Sequence, residues 1–316
     1  MTEVLGGLAV FGVVIAIGWA LVRFRAVDAR ADTVLTRVCF FSATPALLVT
    51  TLAEADLSTV ASAGTAVALA AQGTGIVSAW LVHRLLLRRT VAQATIGALA
   101  SGYVNAVNLG IPVMLLVVGH AEPVAPVLLL QLLVITPATF AVLDATTRRG
   151  HPSRVVTMTI PLRNPLLLAV TAGIVLNLCD IDLQAALAGH PGDALTLLGR
   201  TAVPLMMLSL GMSLAASQMA PRGETARDAN ERAALWWAVA WKLAVVPALA
   251  VGMGLVLGLS RQELLVPVTA ACLPAAQNVF LYASRYDTAK SLARDAVLLT
   301  TAGFVPVVLL AAAVLA

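Results

Sequence analysis

The chain has 316 residues, of which 60% are apolar and only 11% charged, against roughly 25% charged in an ordinary soluble domain. At about 20 residues per bilayer-crossing helix, that apolar quota fills nine or ten spans and leaves almost nothing for a soluble domain, so a soluble globular enzyme is excluded. The formal charge of +4 does not point to nucleic acid, because the basic residues are divided among short loops and form no single patch.

Aromatic residues make up 5% of the chain. The apolar excess is Ala, Leu and Val in long runs broken by Gly and Pro, a pattern of helices and not of the alternating strands of an outer-membrane barrel. Taken in chain order, apolar runs bounded by charge predict ten spans, at 4–22, 33–53, 59–82, 91–119, 123–147, 165–179, 194–216, 235–259, 263–284 and 292–315. The first lacks a basic n-region and is followed by Arg23 and Arg25, so it reads as a retained helix and not a signal peptide. Cys39, Cys179 and Cys272 have neither paired nor metal-type spacing, which predicts no disulfide framework and no zinc.

Sixteen of the twenty basic residues fall in the odd-numbered loops, in groups such as Arg84, Arg88 and Arg89, or Arg285, Lys290 and Arg294. The even loops carry Glu54, Asp56, Glu122, Asp180, Asp182, Asp193 and Glu263, with Arg261 their only base. Short cytoplasmic loops retain positive charge, so the odd loops lie inside and both termini outside. Five spans per half then give two halves of opposite orientation. Weak internal similarity agrees: Pro45 in the second span matches Pro204 in the seventh, and Asn108 in the fourth matches Asn278 in the ninth. The expected fold is an all-α polytopic membrane protein of ten transmembrane helices in two inverted five-helix repeats, residues 1–147 and 165–316, joined by a short cytoplasmic loop at 148–164. Inverted repeats of this kind are a transporter plan.

Two spans carry polar breaks. The fourth contains Asn105-Ala-Val-Asn108-Leu-Gly110-Ile-Pro112, and the ninth Pro274-Ala-Ala-Gln277-Asn278. Pro112 cannot donate to the carbonyl of Asn108, Gly110 permits a turn, and Pro274 leaves the carbonyl of Ala270 without its helical donor. If both helices break near the midplane, each second half presents free N–H groups and a positive dipole end to one place, an anion site. Asn105, Asn108, Gln277 and Asn278 would add neutral donors there without placing charge in lipid. The competing reading is a pair of proline kinks whose amides only satisfy loosened backbone or join helices.

These segments resemble the auxin efflux carrier family of PIN-like transporters, in its bacterial type. The likeness runs through all ten spans, on the two polar segments, Asn164-Pro165, Pro204 with Leu210-Gly211, and Tyr282-Ala-Ser-Arg285-Tyr286. It implies helices 4 and 9 crossing at their breaks, spans one, two, six and seven as scaffold, and spans three to five and eight to ten as a moving core. It implies an elevator-like cycle carrying a small carboxylate held at the crossover, no cofactor, and a homodimer through the scaffold. The setting is a bacterial inner membrane, with lipid the other partner. Two departures stand out. The loop 148–164 is far shorter than that of the long plant members. Those members pair an acid on the third span with a lysine on the eighth, whereas the third span here has only Gln72.

Ionisable residues within the spans are Arg37, Asp144, Arg200 and Lys242. The first three lie within about a turn of an interface and are expected to snorkel. Lys242 is deeper, behind Trp236, Trp237 and Trp241; it either snorkels or serves as a counter-charge near the site. His83, His120, His151 and His190 sit at loops or span ends, where solvation explains them, and form no metal cluster. No acid, base or nucleophile stands at catalytic spacing, so no enzyme is expected. Among carriers the alternative is a sodium-coupled organic anion symporter of the bile-acid type, in which half-helix C-termini would coordinate the cation.

Overall fold

A computed structural model describes residues 2–28, 31–55, 62–147, 164–181, 190–219 and 229–315. Most of the 148–164 loop, residues 220–228, Arg30, Asp56, His151 and Asp182 lie outside the described residues. What is described is helical: α1 (Thr2–Arg23), α2 (Ala31–Ala53), α3 (Ala63–Leu86), α4 (Val91–Gly102), α5 (Ala106–Val117), α6 (Val124–Thr146), α7 (Pro165–Leu178), α8 (His190–Met219), α9 (Ala229–Val256), α10 (Arg261–Cys272), α11 (Gln277–Arg285) and α12 (Lys290–Leu315). Six of these, α2, α3, α6, α8, α9 and α12, are long and apolar enough to cross a membrane. Large apolar side chains such as Val10, Val77, Leu168 and Leu255 stay outward-facing, as expected where the solvent is hydrocarbon.

Prolines account for four of the wide turns in these helices; a fifth, at Val82–Leu86, precedes no proline. Wide, π-helical turns at Cys39–Ala43, Ala106–Gly110, Leu130–Ile135 and Trp241–Val245 each end two residues before Pro45, Pro112, Pro137 or Pro247. A proline ring collides with the carbonyl four residues back and cannot donate to it. One extra residue in the preceding turn moves that carbonyl aside, so the helix bends without stopping.

Two helices do stop. α4 and α10 are each 12 residues long and begin 170 positions apart, and each opens on a capping box, Thr90 with Gln93 and Ser260 with Glu263. Each ends in extended backbone, at Tyr103 and Leu273. The second stop is where Pro274 predicts it, since a residue before proline is excluded from the helical region. The first corrects the expected position. Gly110 is helical, with φ −61° and ψ −50°, and Pro112 sits in the first turn of an uninterrupted helix. The break lies at Tyr103–Asn105 instead, because Val104 pairs there in antiparallel fashion with Ala275.

The helices pack in two groups. In one, α8 packs along α1 and α2, and α7 along α2; in the other, α3, α4, α9, α10, α11 and α12 pack on one another, with α6 joined through α4. The groups meet mainly where α5 touches α1 and α8, and where α6 touches α7. Within the first group the contact is backbone to backbone. A Cβ on Gly18 would lie 2.2 Å from the Leu208 carbonyl oxygen, and one on Gly211 2.0 Å from that of Ile15. Membrane helices lack a strong hydrophobic drive to associate, so such close approach supplies the attraction.

Gly211→Leu should therefore separate α1 from α8 and lower the thermal unfolding temperature of the detergent-solubilised protein by several degrees. Gly252→Leu, where nothing lies within 4 Å, should leave it unchanged. Equal unfolding temperatures for the two variants would refute this packing.

Candidate functional site

The two breaks cross. The Asn105 amide donates to the Pro274 carbonyl at 2.8 Å, and the Ala276 amide to the Tyr103 carbonyl at 3.0 Å. Tyr103, Val104, Leu273 and Ala275 are all at most 2% exposed, so every backbone group freed here must be matched within the protein. Three side chains from neighbouring helices do so. Gln131 on α6 donates its Nε2 to the Val104 carbonyl at 2.9 Å, Thr300 on α12 accepts from the Ala275 amide at 3.1 Å, and Lys242 on α9 donates its Nζ to the Ala271 carbonyl at 2.9 Å. The carbonyl of Ala270, expected to be left over, is met at 3.4 Å by the Leu273 amide.

Beyond the crossing, the second halves begin. α5 is capped by Asn105, whose Oδ1 accepts from the Asn108 amide at 3.2 Å. α11 starts at Gln277 with no side-chain cap. Both N-termini open on a cavity of 1320 Å³ lined by Asn105, Asn108, Gln277 and Asn278 among others. Sequence reasoning thus named four amides that the fold brings to one place. They are not equivalent: Asn105 spends its oxygen on the cap, Gln277 donates its Nε2 to the Ser213 hydroxyl at 3.3 Å, Asn278 lines the cavity beside the Tyr103 hydroxyl, and Asn108 lines it as well. Gly110 and Pro112 act behind this wall. A Cβ on Gly110 would come within 3.1 Å of Leu273 Cδ1, so glycine there lets α5 settle against the other break.

One wall of the cavity is aromatic and hydroxylic, which the sequence reading missed. The Tyr103 hydroxyl lies 3.1 Å from Thr136 Oγ1, which lies 3.4 Å from the Tyr282 hydroxyl. Phe140 stands edge-on to Tyr282, with ring centroids 5.0 Å apart. Just past the end of α11, Tyr286 donates its hydroxyl to Asp144 Oδ1 at 2.8 Å. Burial and then that carboxylate push the Tyr286 phenol up to about 12, so it remains a neutral donor. Gln131 was also missed, although a lone amide in the run Leu128–Ile135 is itself a signal.

Lys242 is fully buried and does not snorkel, nor does it line the cavity. Its amine faces the C-terminal, partially negative end of α10. Gln72 is 4% exposed, and neither its nitrogen nor its oxygen has a hydrogen-bond partner. Asp144 faces the protein, toward Tyr286, whereas Arg37, which lines the cavity, and Arg200 are both exposed. His83 corrects the solvated reading of the histidines: it is 1% exposed and neither ring nitrogen is bonded. His120 pairs with Glu122 at 2.7 Å. Among the described residues no group of three or more acids, histidines or cysteines could hold a metal ion. A second, wholly apolar groove between α3 and α9, lined by Ala66, Ala70, Leu249 and Gly252, offers no polar chemistry.

An all-helical protein with membrane-length apolar helices and an internal polar crossover belongs to the class of polytopic membrane transporters. The model of the membrane transport protein family matches residues 6–156 and 149–312, and the chain is a member of that family, the auxin efflux carriers and PIN-like transporters. No curated protein matches the chain.

The side-chain staples of the crossing carry a direct expectation. Gln131→Leu and Thr300→Val each leave a buried backbone group unpaired, which costs about 1–3 kcal/mol. Both should unfold at lower temperature than the parent in the same detergent, while Gln93→Ala, which removes only an exposed part of a cap, should cost less. A parent-like unfolding temperature for both variants would mean that the crossing is satisfied some other way.

Proposed function

We propose that the protein carries a small organic anion across the membrane, holding its carboxylate at the crossing between the N-termini of α5 and α11. The observation that carries this reading is the antiparallel pairing of Val104 with Ala275, which turns two uncharged helix N-termini and the Asn108 and Asn278 amides into one cavity. Helix N-termini attract anions because their first N–H groups lack acceptors and the dipole is positive there. Amides bind a carboxylate as it loses water without themselves costing the energy of a buried charge.

On this reading the chain forms ten spans in two inverted repeats, 1–147 and 165–316. The 170-residue offset between the matching capping boxes of α4 and α10 supports it. The group of α1, α2, α7 and α8 serves as scaffold and as the surface of a homodimer, and the other helices form the core that slides past it in an elevator-like cycle. Both termini lie outside a bacterial inner membrane. No enzymatic step is part of the proposal. The rival sodium-coupled symporter differs in one measurement: removing sodium at a clamped proton gradient abolishes its uptake, whereas carriage by dipoles and amides continues.

Ligands are found first by screening small mono- and dicarboxylates for thermal stabilisation of the solubilised protein, since binding to the folded state raises apparent stability. Hydrogen bonds to a charged group are worth roughly 1.5–3 kcal/mol. Asn108→Ala or Asn278→Ala should therefore weaken binding of the stabilising carboxylate by about tenfold or more, and the double variant should nearly abolish transport. Kinks that merely glue helices would give the opposite pattern, with poor folding and intact affinity. An unchanged dissociation constant in the monodisperse fraction of both single variants rejects the carboxylate site.

Orientation is tested separately in a background without native cysteines. Single cysteines at Ser153 and Thr225 should react only from the cytoplasm, and ones at the exposed positions Glu54 and Asp193 only from outside. External labelling of Ser153 would overturn the topology.

A further inference from the structure

The cavity does not end at the amides. Along α11, Asn278, Tyr282 and Arg285 follow at spacings of four and three, so they share one helix face. All three line the cavity. At 1.5 Å per residue, Arg285 stands roughly 10 Å further toward the mouth than Asn278. Its guanidinium lies over the Phe140 ring, 5.2 Å from the centroid, and over the Tyr286 ring at 5.6 Å. Tyr286 is itself fixed by its bond to Asp144. The rings hold the cation in place through their negative faces but neutralise none of its charge.

The neighbouring acids reduce that field but none of them pairs with the cation: Asp144 accepts from the Tyr286 hydroxyl and Asp287 binds Lys290. The cavity is also lined by Arg37, Arg294, Asp32 and Asp295. Arg294 is bound to Asp295 at 2.7 Å, and Asp32 lies in the first turn of α2, where it accepts from the Thr33 amide and hydroxyl. Among the described residues neither Arg285 nor Arg37 has a hydrogen bond or an ion pair. Arg37 belongs to the other packing group, so two unpaired guanidinium groups reach the same opening from its two sides.

We propose that Arg285, held on Phe140 and Tyr286, forms an outer anion subsite at the mouth of the cavity, where a carboxylate is captured before it reaches the crossing. The proposal rests on the anion reading of the crossing given above. A guanidinium at a wet mouth attracts an anion over a Debye length of about 10 Å and releases it readily, because the high dielectric constant of water weakens the contact pair. Its expected contribution is to the rate of entry more than to final affinity.

The test needs no identified substrate. In a cysteine-free background, Leu281→Cys places a thiol on the cavity wall one turn from Arg285, at a position that is 59% exposed. Its modification rate is measured with an anionic sulfonatoethyl, a cationic trimethylammonioethyl and a neutral methyl methanethiosulfonate. The neutral reagent corrects for thiol reactivity. Adding Arg285→Gln should lower the anionic-to-neutral rate ratio about threefold to tenfold at low ionic strength and raise the cationic ratio, with both effects fading at several hundred millimolar salt. Arg285→Lys should keep most of the parent ratio. Phe140→Leu keeps the charge and removes one face of its support; it should give a smaller drop, and it serves as the second test if Arg285→Gln does not yield monodisperse protein. Unchanged ratios in whichever of these two variants fold would overturn the subsite. Asn278→Ala should leave the ratios as they are, so failure of the outer subsite and failure of the crossing site are read in different measurements.

Discussion

Backbone polar groups cannot be left unpaired in hydrocarbon, where each costs several kcal/mol, and the rest of this structure follows from how two interrupted helices meet that constraint. Breaking α4 and α10 frees carbonyls at their C-terminal ends and N–H groups at the starts of α5 and α11. The carbonyl ends are satisfied inside the protein, by the pairing of Asn105 with Pro274 and of Ala276 with Tyr103, and by Gln131 and Lys242. The N-terminal ends are not all closed in this way; that of α11 opens on the cavity without a side-chain cap. The protein thus sorts the two kinds of orphan group, and what remains available to a ligand is positive in sign.

Much of this was legible from residue order. Long apolar runs locate the helices, because only a helix satisfies its own backbone in lipid, and Pro274 marks one break because it forbids helix at Leu273. The other break was misplaced. Gly110 and Pro112 look like helix breakers by local chemistry, but Pro112 needs only the wide turn at Ala106–Gly110. The actual interruption at Tyr103–Asn105 is set by the pairing of Val104 with Ala275, 171 residues away, which no local pattern announces. Lys242 was ambiguous for a related reason. Trp236 and Trp237 face outward as a belt residue should, but Trp241 turns inward to donate to Ser78 at 3.2 Å, and Lys242 follows it into the core. Whether a long side chain snorkels or turns inward depends on what waits inside, here the Ala271 carbonyl.

The packing bears on movement. Within each group helices approach closely, at Gly18 and Gly211 in one and at Gly75 against Val246 in the other. Between the groups the described polar link at the crossing is the bond from Gln277 to Ser213, 3.3 Å long and neutral on both sides. Such a bond contributes about 1 kcal/mol net, little against the several kcal/mol that separating a glycine-packed helix pair would cost. On the proposed elevator-like cycle, relative displacement is therefore cheapest along the seam that runs past the polar cavity, where the proposed ligand is seated.

The distribution of charge is the last consequence. In the proposed cycle the carrier also returns empty, and a fixed cation lining the dry centre would then stand alone in a low dielectric, a state far more costly than an unpaired amide. Neutral Asn108 and Asn278 with two helix dipoles avoid that cost, because an amide left without its anion loses hydrogen bonds and not a full charge. The buried Lys242 sits behind the crossing on the Ala271 carbonyl and does not line the cavity, whereas the guanidinium groups of Arg37, Arg285 and Arg294 line it and are exposed. The two proposed sites thus divide attraction over distance and binding at the centre between different chemistry, each placed where its desolvation is least expensive.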